Sequence, residues 1–118
     1  MFGLDADVDI DFLIEKELIQ VCYGQYEIIL NFFLDVSISV EGKVCISEDN
    51  FKNSFNCNDP KLVVWLHDMI GDKISATENK GYGNITLIFS SGKSLMIMDS
   101  FTDGESYSIT SDKIQIIV

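Results

Sequence analysis

Residues 81–99 read GYGNITLIFSSGKSLMIMD, and residues 23–42 read YGQYEIILNFFLDVSISVEG. Displaced by 57 positions, one falls on the other: Ile28 meets Ile85, Leu30 meets Leu87, Phe32 meets Phe89, Ser37 meets Ser94 and Val40 meets Ile97. Each copy has two runs of alternating apolar and polar residues around a turn, Leu34-Asp35 in one and Ser91-Gly92 in the other. Successive side chains of a strand point to opposite faces of its sheet, so this alternation predicts hairpins with one buried face. A further strand-like run leads into each copy, carrying Ile19 and Val21 before the first and Ile74 and Ala76 before the second. The unit is a three-stranded antiparallel meander used twice. Amphipathic hairpins share such a pattern in general, and four of the five matches are simply apolar. Two meanders can form halves of one sheet, or a small pseudo-symmetric sandwich or barrel, but not a solenoid, which needs at least about three units.

Around the copies, residues 43–47 (KVCIS), 105–110 and 113–118 also have strand composition. Residues 48–58 (EDNFKNSFNCN) are polar and Asn-rich, which predicts a loop or a short helical turn. Between the copies lies one helix. Asn58 or Asp59 can cap it, Pro60 suits its first turn, and Gly71 suits its stop. Leu62, Val63, Leu66, Met69 and Ile70 recur at helical spacing as its buried stripe. The expected fold is α+β, mostly β, with two related antiparallel meanders flanking a central helix. One domain is expected over residues 1–118. It comprises an acidic N-terminal segment (1–13), a first meander (17–47), a helix (59–70), and a second meander with C-terminal strands (72–118).

The chain carries 19 Asp and Glu against eight Lys and no Arg, a formal charge of −11. Such a field repels nucleic acid and anionic membranes and attracts a basic partner, and it also favours solubility. No apolar stretch is long enough to span a bilayer, and the acidic N-terminus lacks the basic start and apolar run of a secretory signal. Both point to the cytoplasm. The three cysteines, Cys22, Cys45 and Cys57, are an odd number without a close pairing motif, which argues against a disulfide framework. Cys22 and Cys45 lie in apolar, strand-like contexts and are expected to be buried free thiols.

From residue 4 to residue 12, Leu-Asp-Ala-Asp-Val-Asp-Ile-Asp-Phe alternates strictly. As a strand, it would put Asp5, Asp7, Asp9 and Asp11 on one face. An extended arm or a short helix from Asp9 is the alternative, because Asp is a poor strand former. The opening Asp5-x-Asp7-x-Asp9 resembles a calcium loop, but that loop wants Gly and Glu where Ile10 and Lys16 stand. A weak, non-specific divalent ion is all the row could hold, and no metal or cofactor is expected. His67, the single histidine, has no cysteine cluster for zinc. Its place beside Asp68, off the helix stripe, suits a surface residue better than half of a catalytic pair with a cysteine or carboxylate. Trp65 also lies off the stripe; it either closes the edge of the core or anchors a partner. Gly81-x-Gly83 lacks the rest of a dinucleotide fingerprint, and Ser90 to Lys93 lacks the context of a phosphate loop.

Ile19 to Ile28 (IQVCYGQYEI), Ser37 to Gly42 (SISVEG), the helix from Leu66 to Gly71, and Ile85-Thr86-Leu87-x-Phe89-Ser90-x-Gly92 together resemble a family of short bacterial β-rich proteins of uncharacterised function. The resemblance runs from about residue 14 to the C-terminus and rests on strand residues. It implies a bacterial source and no activity. Small acidic bacterial proteins of this kind are similar in class to immunity proteins of toxin systems such as contact-dependent inhibition, which neutralise a toxin that is often a basic nuclease. The expectation is a non-enzymatic immunity protein that binds a cognate basic toxin through Asp5, Asp7, Asp9 and Asp11, with Trp65 and Asp68 as further contacts. The alternatives are a small-ligand or scaffold module, and a hydrolase using His67.

Overall fold

A computed structural model of the chain describes residues 8–79, 83–99, 106–112 and 114–118. After a 3-10 turn at Asp11–Leu13, the chain forms β1 (Leu18–Tyr23), β2 (Ile28–Phe32), β3 (Val36–Val40), β4 (Lys43–Glu48) and β5 (Phe51–Asn56). The helix α1 (Pro60–Met69) follows. Then come β6 (Ile74–Asn79), β7 (Ile85–Phe89), β8 (Ser94–Ile97), β9 (Tyr107–Thr110) and β10 (Gln115–Ile117). All strand pairs are antiparallel, in two five-stranded sheets ordered β1-β2-β3-β9-β10 and β6-β7-β8-β4-β5. Leu30, Ile38 and Ile109 of the first sheet share one buried cluster with Ile46, Leu87 and Leu95 of the second. The fold is mostly β, an α+β sandwich with one helix.

The echo in the sequence is a repeat in three dimensions. Leu18 pairs with Phe32 and Ile74 with Phe89; in both ladders the next residue is a bulge, after which Gln20 pairs with Asn31 and Ala76 with Ile88. The matching offset is 56 on β1 and β6, and 57 on the hairpins that follow. Both hairpins close through three-residue loops, 33–35 and 90–92.

The repeat extends beyond the meander. The hairpin β4–β5 and the hairpin β9–β10 match at an offset of 63: Val44 faces Phe55 as Tyr107 faces Val118. Each hairpin leaves its own meander and joins the other sheet. β4 pairs with β8, and β9 pairs with β3 in the corresponding register. The two halves therefore complete each other by exchanging their last two strands. Val44–Phe55 and Tyr107–Val118 put the larger residue on opposite strands, which keeps the filled volume similar at the two equivalent places.

The segments that precede each meander close the sandwich. Helix α1 packs on β1 and β5, burying Leu62, Leu66 and Met69. Asp59 caps it, accepting a 2.9 Å hydrogen bond from the Lys61 amide. The 3-10 turn packs on β6, with Ile10 and Leu13 buried. At the 56-residue offset Ile10 matches Leu66 and Leu13 matches Met69, so a single turn in one half does what ten residues do in the other.

Three expectations are corrected. Val63 and Ile70, expected in the buried stripe of the helix, are exposed; only Leu62, Leu66 and Met69 are buried, and Ile70 is already the C-cap. Residues 51–56 are the edge strand β5, not a loop; only Phe55 of the six is buried, so no apolar alternation marked it. Cys22 is exposed, whereas Cys45 and Cys57 are buried. The β1 bulge turns Cys22 to the outer face of the first sheet, opposite Ile29. The strict alternation of the N-terminal segment ends in the 3-10 turn, where Phe12 and Leu13 both reach the core although they are neighbours.

Candidate functional site

The internal repeat supplies a control within the molecule, since an exposed feature present at one copy and absent at its equivalent is not required by the backbone path the two copies share. Exposed apolar residues without an apolar equivalent include Tyr23, Tyr26 and Ile117, against Asn79, Gly83 and Ser54, and three that adjoin the β2–β3 turn. Ile19, Phe33 and Leu34 are 47%, 57% and 64% exposed. Their equivalents are Ser75, Ser90 and Ser91. The serines serve their surroundings: Ser75 donates to the Ile88 carbonyl and Ser90 to the Lys73 carbonyl, while Ser91 Oγ accepts from the Lys93 amide. The same turn carries left-handed backbone in both halves. Gly92 takes it in the second (φ 99), whereas Leu34 (φ 67) and Asp35 (φ 60) take it in the first. Leucine in this region is costly, by about 1–2 kcal/mol. The β2–β3 turn thus exposes apolar area and bears strain that its twin avoids.

This turn borders a charge-poor surface, with the Glu27 carboxylate at its far end accepting from the Ser39 hydroxyl at 2.9 Å. The outward rows of the first sheet read Gln20, Asn31, Ser37, Thr110, Gln115 and Cys22, Ile29, Ser39, Ser108, Ile117 across its five strands. None of the ten is charged, in a chain of net charge −11. The corresponding rows of the second sheet include Lys52 and Glu78. A cleft of about 320 Å³ between Ile19, Asn31, Asp35 and Ser37 joins the turn to this face, and one of about 450 Å³ runs from Leu34 to Ile114 and Phe12.

A second surface lies on α1. Trp65 stacks on Phe51 of β5 with ring centroids 4.5 Å apart. Phe51 pairs across the hairpin with Glu48. The Lys93 ammonium lies 3.7 Å from the Glu48 carboxylate and 3.8 Å from that of Asp68, one helical turn from Trp65. At the equivalent places in the other half stand Asp9 for Trp65, Phe12 for Asp68 and Ile114 for Phe51, with no such stack.

The residues proposed from sequence are thus divided. Asp5 and Asp7 lie outside the described residues. Asp9 and Asp11 are exposed and locally engaged: Asp9 accepts from the Asp11 amide (2.8 Å), and Asp11 accepts from the Thr77 hydroxyl (2.7 Å). They lie beside β6, whereas Trp65 and Asp68 lie beside β5, at the opposite edge of the second sheet. The two sets do not form one patch. Sequence reasoning missed Ile19, Phe33 and Leu34, as well as Glu48, Phe51 and Lys93. The first three were legible as mismatches between the copies, apolar against serine.

His67 is exposed, and its side chain has no hydrogen bond or ion pair with a described residue. Cys57 lines a cleft of about 380 Å³ with Tyr26, Glu41, Lys43 and Asn56, and its thiol donates to the Tyr26 carbonyl at 3.5 Å. Burial pushes that thiol above its ordinary value, and the Glu41 and Glu27 carboxylates add to the shift. The thiolate, which is the nucleophile, is therefore disfavoured. Among the described residues no group of His, Cys, Asp and Glu could hold a metal ion, and no helix is long and apolar enough to cross a membrane. Comparison with known proteins finds no matching family model, no matching curated protein and no matching solved structure.

Proposed function

We propose that this chain is a cytoplasmic bacterial immunity protein: it acts by binding, without catalysis, and neutralises a basic toxin domain such as a nuclease. The observation that carries this reading is the β2–β3 turn, where Ile19, Phe33 and Leu34 replace the serines that serve the same scaffold in the other half. Interface cores are depleted of charge and hold apolar anchors, and the charge-poor face beside the turn has that character. Each of the three side chains is about half exposed, so burying it against a partner contributes on the order of 1 kcal/mol. The charge of −11 supplies the other component. It speeds encounter with a basic partner and disfavours acidic ones. Asp9, Asp11 and Asp68 contribute to that field from the edges of the second sheet.

Co-expression with the product of the adjacent gene tests the reading. The wild-type chain is expected to relieve growth inhibition by that product and to co-purify with it. A neighbouring product that is neither toxic nor bound by the chain overturns the proposal.

A further inference from the structure

Glu48, Phe51, Trp65, Asp68 and Lys93 close a ring on the surface. Phe51 joins Glu48 through the β4–β5 ladder and Trp65 through the ring stack; Lys93 closes the circuit between the two carboxylates. The Lys93 side chain is only 13% exposed, whereas Asp68 is 72% exposed and Glu48 38%. An ammonium is therefore already drawn between two carboxylates that still have free faces toward solvent. Its distances of 3.7 and 3.8 Å are long for a charge-assisted hydrogen bond, which forms at about 2.7–2.9 Å. The contacts are ion pairs that a better-fitting cation could replace.

We infer that this ring is a cradle for an arginine side chain of the partner, which displaces Lys93. Guanidinium is planar, stacks on an aromatic face, and can bind a carboxylate through two parallel bonds, whereas ammonium is a strongly hydrated point charge. Phe51, exposed and backed by Trp65 in the face-to-face stack, supplies the aromatic face, and Asp68 and Glu48 supply the carboxylates. The chain contains no arginine of its own, so the ligand comes from another molecule. The inference deepens the basic-partner reading above but needs no toxin for its test.

Trp65 is the single tryptophan, so its fluorescence reports on this site alone. The full chain is titrated with a hexa-arginine peptide and a hexa-lysine peptide, and Trp65 emission is followed. Hexa-arginine is expected to change the emission saturably and to bind several-fold tighter than hexa-lysine. The pair Glu48→Gln with Asp68→Asn is expected to weaken hexa-arginine binding about tenfold. The pair Glu41→Gln with Asp112→Asn removes the same charge from other exposed positions and is expected to change it less than twofold. Lys93→Ala removes the internal competitor and is expected to tighten binding several-fold. Unchanged emission, equal weakening by the two pairs, or weaker binding by Lys93→Ala overturns the cradle. Those results leave the toxin-binding reading standing, because co-expression tests it separately.

Discussion

Glu17 and Lys73 pair across an isolated antiparallel bridge, and they are the same position in the two copies, 56 residues apart. The hydrogen bonds around them repeat under that exchange. Glu15 donates to the Ile74 carbonyl and Gly71 to the Leu18 carbonyl, each at 2.7 Å; Leu18 donates to the Asp72 carbonyl and Ile74 to the Lys16 carbonyl. The bridge therefore lies on a pseudo-twofold axis, where the two sheets meet.

The axis has unequal chemistry on its two sides. Glu15 (φ 74) and Gly71 (φ 96) are equivalent, and both are left-handed. Gly71→Ala is expected to cost about 1 kcal/mol, although the new methyl meets no neighbour, because an L side chain resists this backbone. Glu15→Gly is expected to stabilise by about 0.5 kcal/mol, since relief of strain exceeds the added chain entropy. Urea denaturation measures both. A neutral Gly71→Ala would place the strain elsewhere.

The exchanged hairpins allow a packing test. Val44 and Phe55 on one side match Tyr107 and Val118 on the other. Val44→Tyr alone overfills its half and is expected to cost about 1–3 kcal/mol. Adding Phe55→Val reproduces the size order of the other half and is expected to recover at least half of that loss, a coupling that a double-mutant cycle measures. Strictly additive losses would contradict the equivalence of the two sites.

Tyr107 makes stability depend on alkaline pH. Its hydroxyl donates to the Gly83 carbonyl at 2.6 Å. Burial raises the phenol above its ordinary value, and the Asp99 carboxylate adds to the shift. Folding thus favours the protonated phenol. The stabilisation is complete below about pH 10, the unfolded value, and is lost as pH rises above it. Tyr107→Phe is expected to cost about 1–3 kcal/mol at neutral pH, where the Gly83 carbonyl loses its partner, and to flatten the decline above pH 10. Some slope remains, because burial shifts Cys57 and Tyr23 in the same direction. Thermal melts across pH 7–11 compare the two chains. An equally steep decline in the variant would remove Tyr107 from the account.

The meanders were legible because their inner faces alternate without a break, as in Ile28-Leu30-Phe32 and Ile85-Leu87-Phe89. The helix was legible from Asp59, Pro60 and the Leu62-Leu66-Met69 spacing. Strand β5 was not, because an edge strand with one buried residue has no period. Nor was the exchange of hairpins. Val44 and Ile46 specify a buried face, but nothing local states which sheet receives it. The acidic row is conspicuous in composition, yet Asp11 ties the N-terminal turn to β6 through Thr77, and Asp9 accepts from the Asp11 amide within that turn. The apolar turn escaped notice because Phe33 and Leu34 extend a run of core residues and read as more of the same.

Grafting the second copy's turn onto the first separates scaffold from function. The variant Phe33→Ser, Leu34→Ser, Asp35→Gly carries residues proven at the equivalent site. It puts glycine at position 35, and the Ser-Ser-Gly turn of the second copy has its one left-handed residue at the glycine, so the variant is expected to be as stable as wild type or more stable by up to about 1 kcal/mol. Thermal melting measures this. A clear loss of stability would mean that Phe33 and Leu34 belong to the fold.

The central claim is that the partner docks on what the two copies do not share. Calorimetric titration of the adjacent gene's product with the wild-type chain and with this turn-grafted variant tests it most directly. The account predicts tight binding by the wild type and at least tenfold weaker binding by an equally folded variant, as expected when two half-exposed anchors of about 1 kcal/mol each are removed. Equal affinity for the two chains would contradict it.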